Sequence, residues 1–84
     1  MIINIASGAV DSGFTGSQQP IIQNLGPGTI YIGPFNSAEA LVGIGLKLVP
    51  NAVYEYPTTL VEGADKVYIA TDTNSTDVRI INVG

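Results

Sequence analysis

From Pro20 to the end of the chain, short apolar stretches recur between turn-forming residues at intervals of about eight to twelve positions. That interval has room for strands of a few residues joined by tight connections and none for a helix of ordinary length. It is the spacing of a β-sandwich or small barrel. These 84 residues have room for one thin core, because surface dominates volume at this size, and a single domain is expected.

Ile21 to Leu25 leads into Gly26-Pro27-Gly28-Thr29, where Pro presets φ at the first corner of a type II turn and Gly supplies the positive φ at the second. A hairpin is expected there. Beyond it Ile30 and Ile32 share one face and Tyr31 takes the other, before Gly33-Pro34 stops the strand. Ile44 to Val49 alternates too, with Ile44, Leu46 and Leu48 inward and Lys47 outward, up to Pro50-Asn51. Val53 to Tyr56, Val67 to Thr71 and Val78 to Val83 supply the remaining strands. Helical preference is confined to Ser37-Ala38-Glu39-Ala40-Leu41, where Ser37 can cap one turn before Gly43 and Gly45 stop it. The expected fold is all-β: a single antiparallel β-sandwich or barrel of jelly-roll type, with six to eight short strands. Its expected core is Ile30, Ile32, Ile44, Leu46, Leu48, Val67, Ile69, Val78 and Ile80.

Residues 1–19 differ in composition from the domain at 20–84. After Ile2, Ile3 and Ile5 comes a stretch rich in Gly, Ser, Thr and Gln, with a lone Phe14. Two arrangements fit these letters equally. In one, 1–19 is an N-terminal arm whose apolar tip adds a strand to an edge of a larger assembly's protein or of a neighbouring subunit while Phe14 anchors it in a pocket. In the other, Ile2 to Ile5 is the first strand of the domain's own sheet, followed by a long surface loop.

Charged residues make up only 12% of the chain, about half the share usual in soluble domains, so much of the surface is uncharged and suited to contact with partners. There is no cysteine, hence no disulfide to staple a small core, and oligomerisation is the remaining common remedy. A net charge of −4 repels phosphate backbones and anionic headgroups, so neither nucleic acid nor a membrane is an expected partner. Met1 to Ala6 has neither the charge nor the apolar length of a secretion signal, and use inside the producing cell is expected.

The absence of histidine and cysteine removes the commonest general base, the commonest activated nucleophiles and most transition-metal ligands. The acids fall mostly in turns and at strand ends, where solvated charge is ordinary. No enzyme activity, cofactor or metal is therefore expected. Asp72-Thr73-Asn74-Ser75-Thr76-Asp77 opens like a calcium loop, but Asp77 stands where that loop needs Gly and Val83 where it needs Glu. A polar hairpin turn explains the same letters. Gly26-Pro27-Gly28 lacks the Lys and the following helix of a phosphate loop, and Asn74-Ser75-Thr76 is a glycosylation sequon only in a secreted protein. Tyr31, Tyr54, Tyr56 and Tyr68 have no interleaved basic residues, as single-strand binding would require, and Tyr packs readily on sheet faces. Tyr54 and Tyr56 share one face of their strand and are the pair expected to meet a neighbouring subunit. With Ile2, Ile3, Ile5 and Phe14 they make up the candidate interface.

The run Asn24-Leu25-Gly26-Pro27-Gly28-Thr29-Ile30-Tyr31-Ile32-Gly33 resembles the opening of small β-sandwich structural proteins of tailed bacteriophages. Val67-Tyr68-Ile69-Ala70 and Asp77-Val78-Arg79-Ile80-Ile81 are similar to two later strands of that family. Where the family often has Pro-Gly, this chain has Pro50-Asn51. The resemblance implies a virion structural protein, a head decoration or cement protein being the first expectation. Such a protein sits on the capsid exterior as an oligomer, with three copies the first choice. Its partners would be its own copies and the major capsid protein or another virion protein, assembled in the host cytoplasm. A minor tail part, a host-surface or carbohydrate-binding module, and a carboxylate enzyme are the competing expectations.

Overall fold

The computed structural model describes residues 1–15, 18–55 and 66–81. Among these residues, eight strands form two four-stranded antiparallel sheets packed face to face. They are β1 (Ile2–Ile3), β2 (Val10–Thr15), β3 (Ile21–Gly26), β4 (Ile30–Gly33), β5 (Leu46–Leu48), β6 (Val53–Glu55), β7 (Lys66–Thr71) and β8 (Thr76–Ile81). One sheet has the order β1-β8-β3-β6 and the other β2-β7-β4-β5. Between β4 and β5 runs the helix α1 (Ala38–Ile44).

Alternation along each strand sends one set of side chains between the sheets. Ile3, Ile22 and Val78 from the first sheet meet Ile30, Ile32, Leu48, Val67 and Ile69 from the second, all buried. Leu46, Tyr54 and Ile80 pack on the margin of this core. The expected core is present except for Ile44, which is 73% exposed. The expected strand from Ile44 is shorter because α1 claims that residue. Ser37 Oγ accepts from the Ala40 amide at 3.3 Å, Glu39 sits in the positive first turn, and the Gly45 amide closes on Leu41 O at 2.8 Å. The cap and the Ala-rich start carry the helix through seven residues, past Gly43, to two turns where one was expected.

Two expected hairpins are instead crossings between sheets. β3 pairs with β6 and β8, and β4 with β5 and β7, so Gly26-Pro27-Gly28 turns a corner from one sheet to the other. The Gly26–Pro27 bond is cis and Gly26 has φ +83, so the corner is not the expected type II turn. Buried Asn24 holds it: its Nδ2 donates to Gly28 O and Leu48 O, and its Oδ1 accepts from the Gly26 amide. The Asp72–Ser75 connection likewise leads from β7 in one sheet to β8 in the other. Asn51 takes the left-handed conformation, φ +71.

Residues 1–15 are built into the sandwich and do not stand apart as an arm. Ile2 and Ile3 pair with Asp77 and Thr76 of β8, the Met1 ammonium donates to Val78 O at 2.8 Å, and Ile3 is buried. After a 3-10 turn at Ile5–Ser7 capped by Asn4, β2 pairs with β7 where a long loop was expected. The polar letters of β2 misled because it is a bulged edge strand. Gly13 sits at φ +87 with its amide on Asp11 Oδ1, and the register shifts between Asp11 and Thr15.

Candidate functional site

The two outer faces of the sandwich differ. On the β2-β7-β4-β5 sheet, α1 lies across β4 and β7, and Leu41 is fully buried there beside Gly33. Ala70, on the outward side of β7, is buried with it. On the β1-β8-β3-β6 sheet no element covers the outer face among the described residues.

Register fixes what that bare face presents. Ile81 lies beside Ile21, which lies beside Glu55; Arg79 lies beside Gln23, which lies beside Val53; Ile2 lies beside Asp77. Leu25 points the same way from the end of β3. Ile2 is 63% and Val53 59% exposed, and Leu25 and Ile81 are exposed as well. Four exposed aliphatic side chains, Ile2, Leu25, Val53 and Ile81, thus share this face.

Next to the face, β1 is too short to cover the edge of β8. Met1 stands opposite Val78, and among the described residues no strand pairs that edge beyond it. A groove of about 460 Å³ opens here, with Met1, Phe14, Leu25 and Ile80 as its apolar walls and Asp77 and Arg79 on its rim.

The sequence-derived interface residues are dispersed by this geometry. Ile3 is core. Ile2 lies on the bare face, Ile5 is exposed in the 3-10 turn, and Phe14 is half-buried in the groove wall. Tyr54 points inward, packed against the core, whereas Val53 and Glu55 face outward, the reverse of the expected orientation. Alternation identifies which residues share a face but not which face is inside. Tyr56 lies outside the described residues. Tyr31 and Tyr68 lie on the outward side of the other sheet, so the described tyrosines are divided between that face and the margin of the core.

The polar cluster at Asp72 is spent on structure. Asp72 Oδ1 accepts from the Thr29 amide at 3.3 Å and from Thr73 Oγ1 at 3.0 Å, while Oδ2 accepts from the Tyr31 hydroxyl at 3.3 Å. Desolvation, the largest single influence on Asp72, raises its pKa, but the donors from Thr73, Thr29 and Tyr31 together take it below the ordinary carboxylate value. Desolvation and the Asp72 charge raise the Tyr31 phenol in turn. Across β2 and β7, the Gly13 amide, ahead of Lys66 at 3.4 Å, holds Asp11 below its ordinary value against desolvation. Among the described residues no three acids converge as a metal site, and no helix is long and apolar enough to cross a membrane.

No family model, curated protein or solved structure matches the chain.

Proposed function

We propose that the chain is a structural protein of a bacteriophage virion, a head decoration protein that binds the outside of the capsid as an oligomer, and that its sandwich is a jelly roll. The fold half of this reading is supported by the strand order. β1 pairs with β8, β2 with β7, β3 with β6 and β4 with β5, as in one long hairpin, and rolling it up joins β8 to β3 and β7 to β4. That is the layout of jelly rolls, which serve as capsid and lectin domains among others.

A fold alone does not assign a function. The observation that carries the reading is the exposed aliphatic face of the β1-β8-β3-β6 sheet, on a domain whose Asp11, Asp72 and Asp77 are engaged by neighbouring donors and charges. Exposed aliphatic side chains grouped on one face favour holding another surface. The phage-protein resemblance of Asn24 to Gly33 and of the β7 and β8 segments supplies the setting. Purified capsids of the phage that encodes the chain, mixed with the recombinant protein and sedimented, test it. Saturable co-sedimentation with heads is expected, whereas recovery only with tails, or binding to glycans without binding to particles, overturns the decoration role.

A further inference from the structure

We propose that the outer face of the β1-β8-β3-β6 sheet is where two copies of this chain pack face to face about a two-fold axis, each Arg79 paired with Glu55 of the other copy. The proposal rests on the oligomer part of the reading above and not on the capsid.

The argument for a second copy is charge. Besides Ile2, Ile21, Leu25, Val53 and Ile81, the face and its rim carry two acids, Glu55 and Asp77, balanced by Arg79 and the amino terminus. Elsewhere among the described residues the acids Asp11, Glu39 and Asp72 outnumber the lysines Lys47 and Lys66. Among the described residues, repulsion between two copies is therefore least across this face. Its balanced charges offer no net attraction to a strongly anionic or strongly cationic partner.

Within the face the balance is also self-complementary. The ion pairs among the described residues are Met1 with Asp77 and Lys66 with Asp11, so Arg79 and Glu55 are both unengaged by charge. They lie on β8 and β6, on either side of β3 and two residues apart along the strands. A two-fold axis along β3 lays β8 of one copy over β6 of the other. Ile21 then meets Ile21, Arg79 passes over Val53, and its guanidinium reaches Glu55 of the second copy. Both ion pairs form at once under one operation.

A face that is its own complement closes at two copies, whereas a ring of three needs two different patches. The four strands span roughly 20 Å at ordinary strand spacing, which puts the contact at the small end of specific interfaces and makes it reversible.

Sedimentation velocity of the full chain over a wide concentration range tests this, with circular dichroism to confirm that each variant is folded. Wild type is expected to shift from one chain mass to two as concentration rises. Arg79→Glu and Glu55→Arg should each weaken the dimer at least tenfold, Val53→Asp should abolish it, and the charge-swapped double variant Glu55→Arg/Arg79→Glu should return to within about threefold of wild type. One chain mass at every concentration overturns the proposal. So does an assembly that folded Arg79→Glu and Val53→Asp leave unchanged, or a folded double variant no stronger than either single one. Capsid binding by a chain that stays monomeric would overturn the contact and leave the decoration role standing.

Discussion

The Asn24 side-chain amide donates to the Leu48 carbonyl at 2.9 Å, a hydrogen bond that reaches from β3 in one sheet to β5 in the other. The same nitrogen donates to Gly28 O at 2.8 Å, and Oδ1 takes the Gly26 amide at 2.8 Å. Asn24 is fully buried, so no water can replace these partners if they are lost. Asn24→Leu keeps the volume but strands two carbonyls and one amide in the core. It should cost about 3 kcal/mol or more, since each buried orphan costs about 1–3 kcal/mol. A urea midpoint equal to that of wild type would mean the corner is held by something else.

Stability should fall at both ends of the pH scale. Asp72 and Asp11 have lowered folded pKa values, so their contribution is complete above the unfolded carboxylate value and is lost as pH falls through the folded one. Tyr31 is raised, so its contribution is complete below the unfolded phenol value and is lost as pH climbs through the folded one. Urea midpoints should therefore drop below about pH 4 and above about pH 10. Tyr31→Phe should flatten the alkaline limb, and Asp72→Asn should flatten part of the acid limb. All three groups face water, so the changes are small. An alkaline limb unaltered in Tyr31→Phe would contradict the assignment.

Two neighbouring glycines should respond to alanine with opposite signs. A Cβ on Gly43 meets nothing within 4 Å, and the residue lies within α1, so Gly43→Ala should stabilise by roughly 0.5–1 kcal/mol through helix propensity. A Cβ on Gly45 would lie 2.5 Å from Leu41 O and 2.9 Å from Ile32 O, both main-chain atoms that cannot step aside. Gly45→Ala should therefore destabilise, by about 1–3 kcal/mol as in other overpacked sites. Thermal melts of the two variants measure both, and a shared sign would mean that α1 is misplaced relative to β4.

The strands and most of the core were legible because period-two alternation is a local signal, and Ile30, Ile32, Leu48, Val67, Ile69 and Val78 are where it puts them. Sheet membership was not legible. Gly26-Pro27-Gly28 spells a hairpin turn as readily as a corner, and the sole clue to the corner is Asn24, a polar residue at the inward phase set by Ile22. Ile44 was misplaced because its alternation with Leu46 and Leu48 fits a strand, while the signal that overrides it, the Ser37 cap, lies seven residues upstream. The bare face could not be read at all. Ile2, Ile21, Val53 and Ile81 come together only through the pairing of four strands, and the inversion of Val53 and Tyr54 follows from which side of β6 happens to meet the core.

The N-terminal segment should prove essential to folding. Ile3 is 1% exposed and sits in the main core cluster, the Met1 ammonium bonds both Val78 O and Asp77, and the Met1 carbonyl accepts the Val78 amide at 2.8 Å. Removing Met1 to Ser7 takes away β1 and the 3-10 turn, opens the core at Ile3 and leaves the edge of β8 unpaired along its whole length. A domain with one thin core has about 5–15 kcal/mol to lose, and emptying a buried isoleucine site alone costs about 2–5 kcal/mol. The truncated chain should therefore be unfolded or molten at room temperature by near-UV circular dichroism and proteolysis. Ile3→Ala should lower the urea midpoint strongly, whereas Ile5→Ser, on an exposed residue, should leave it within about 0.5 kcal/mol of wild type. A truncated chain that folds with native stability and fails only to bind particles would return the segment to the role of a docking arm.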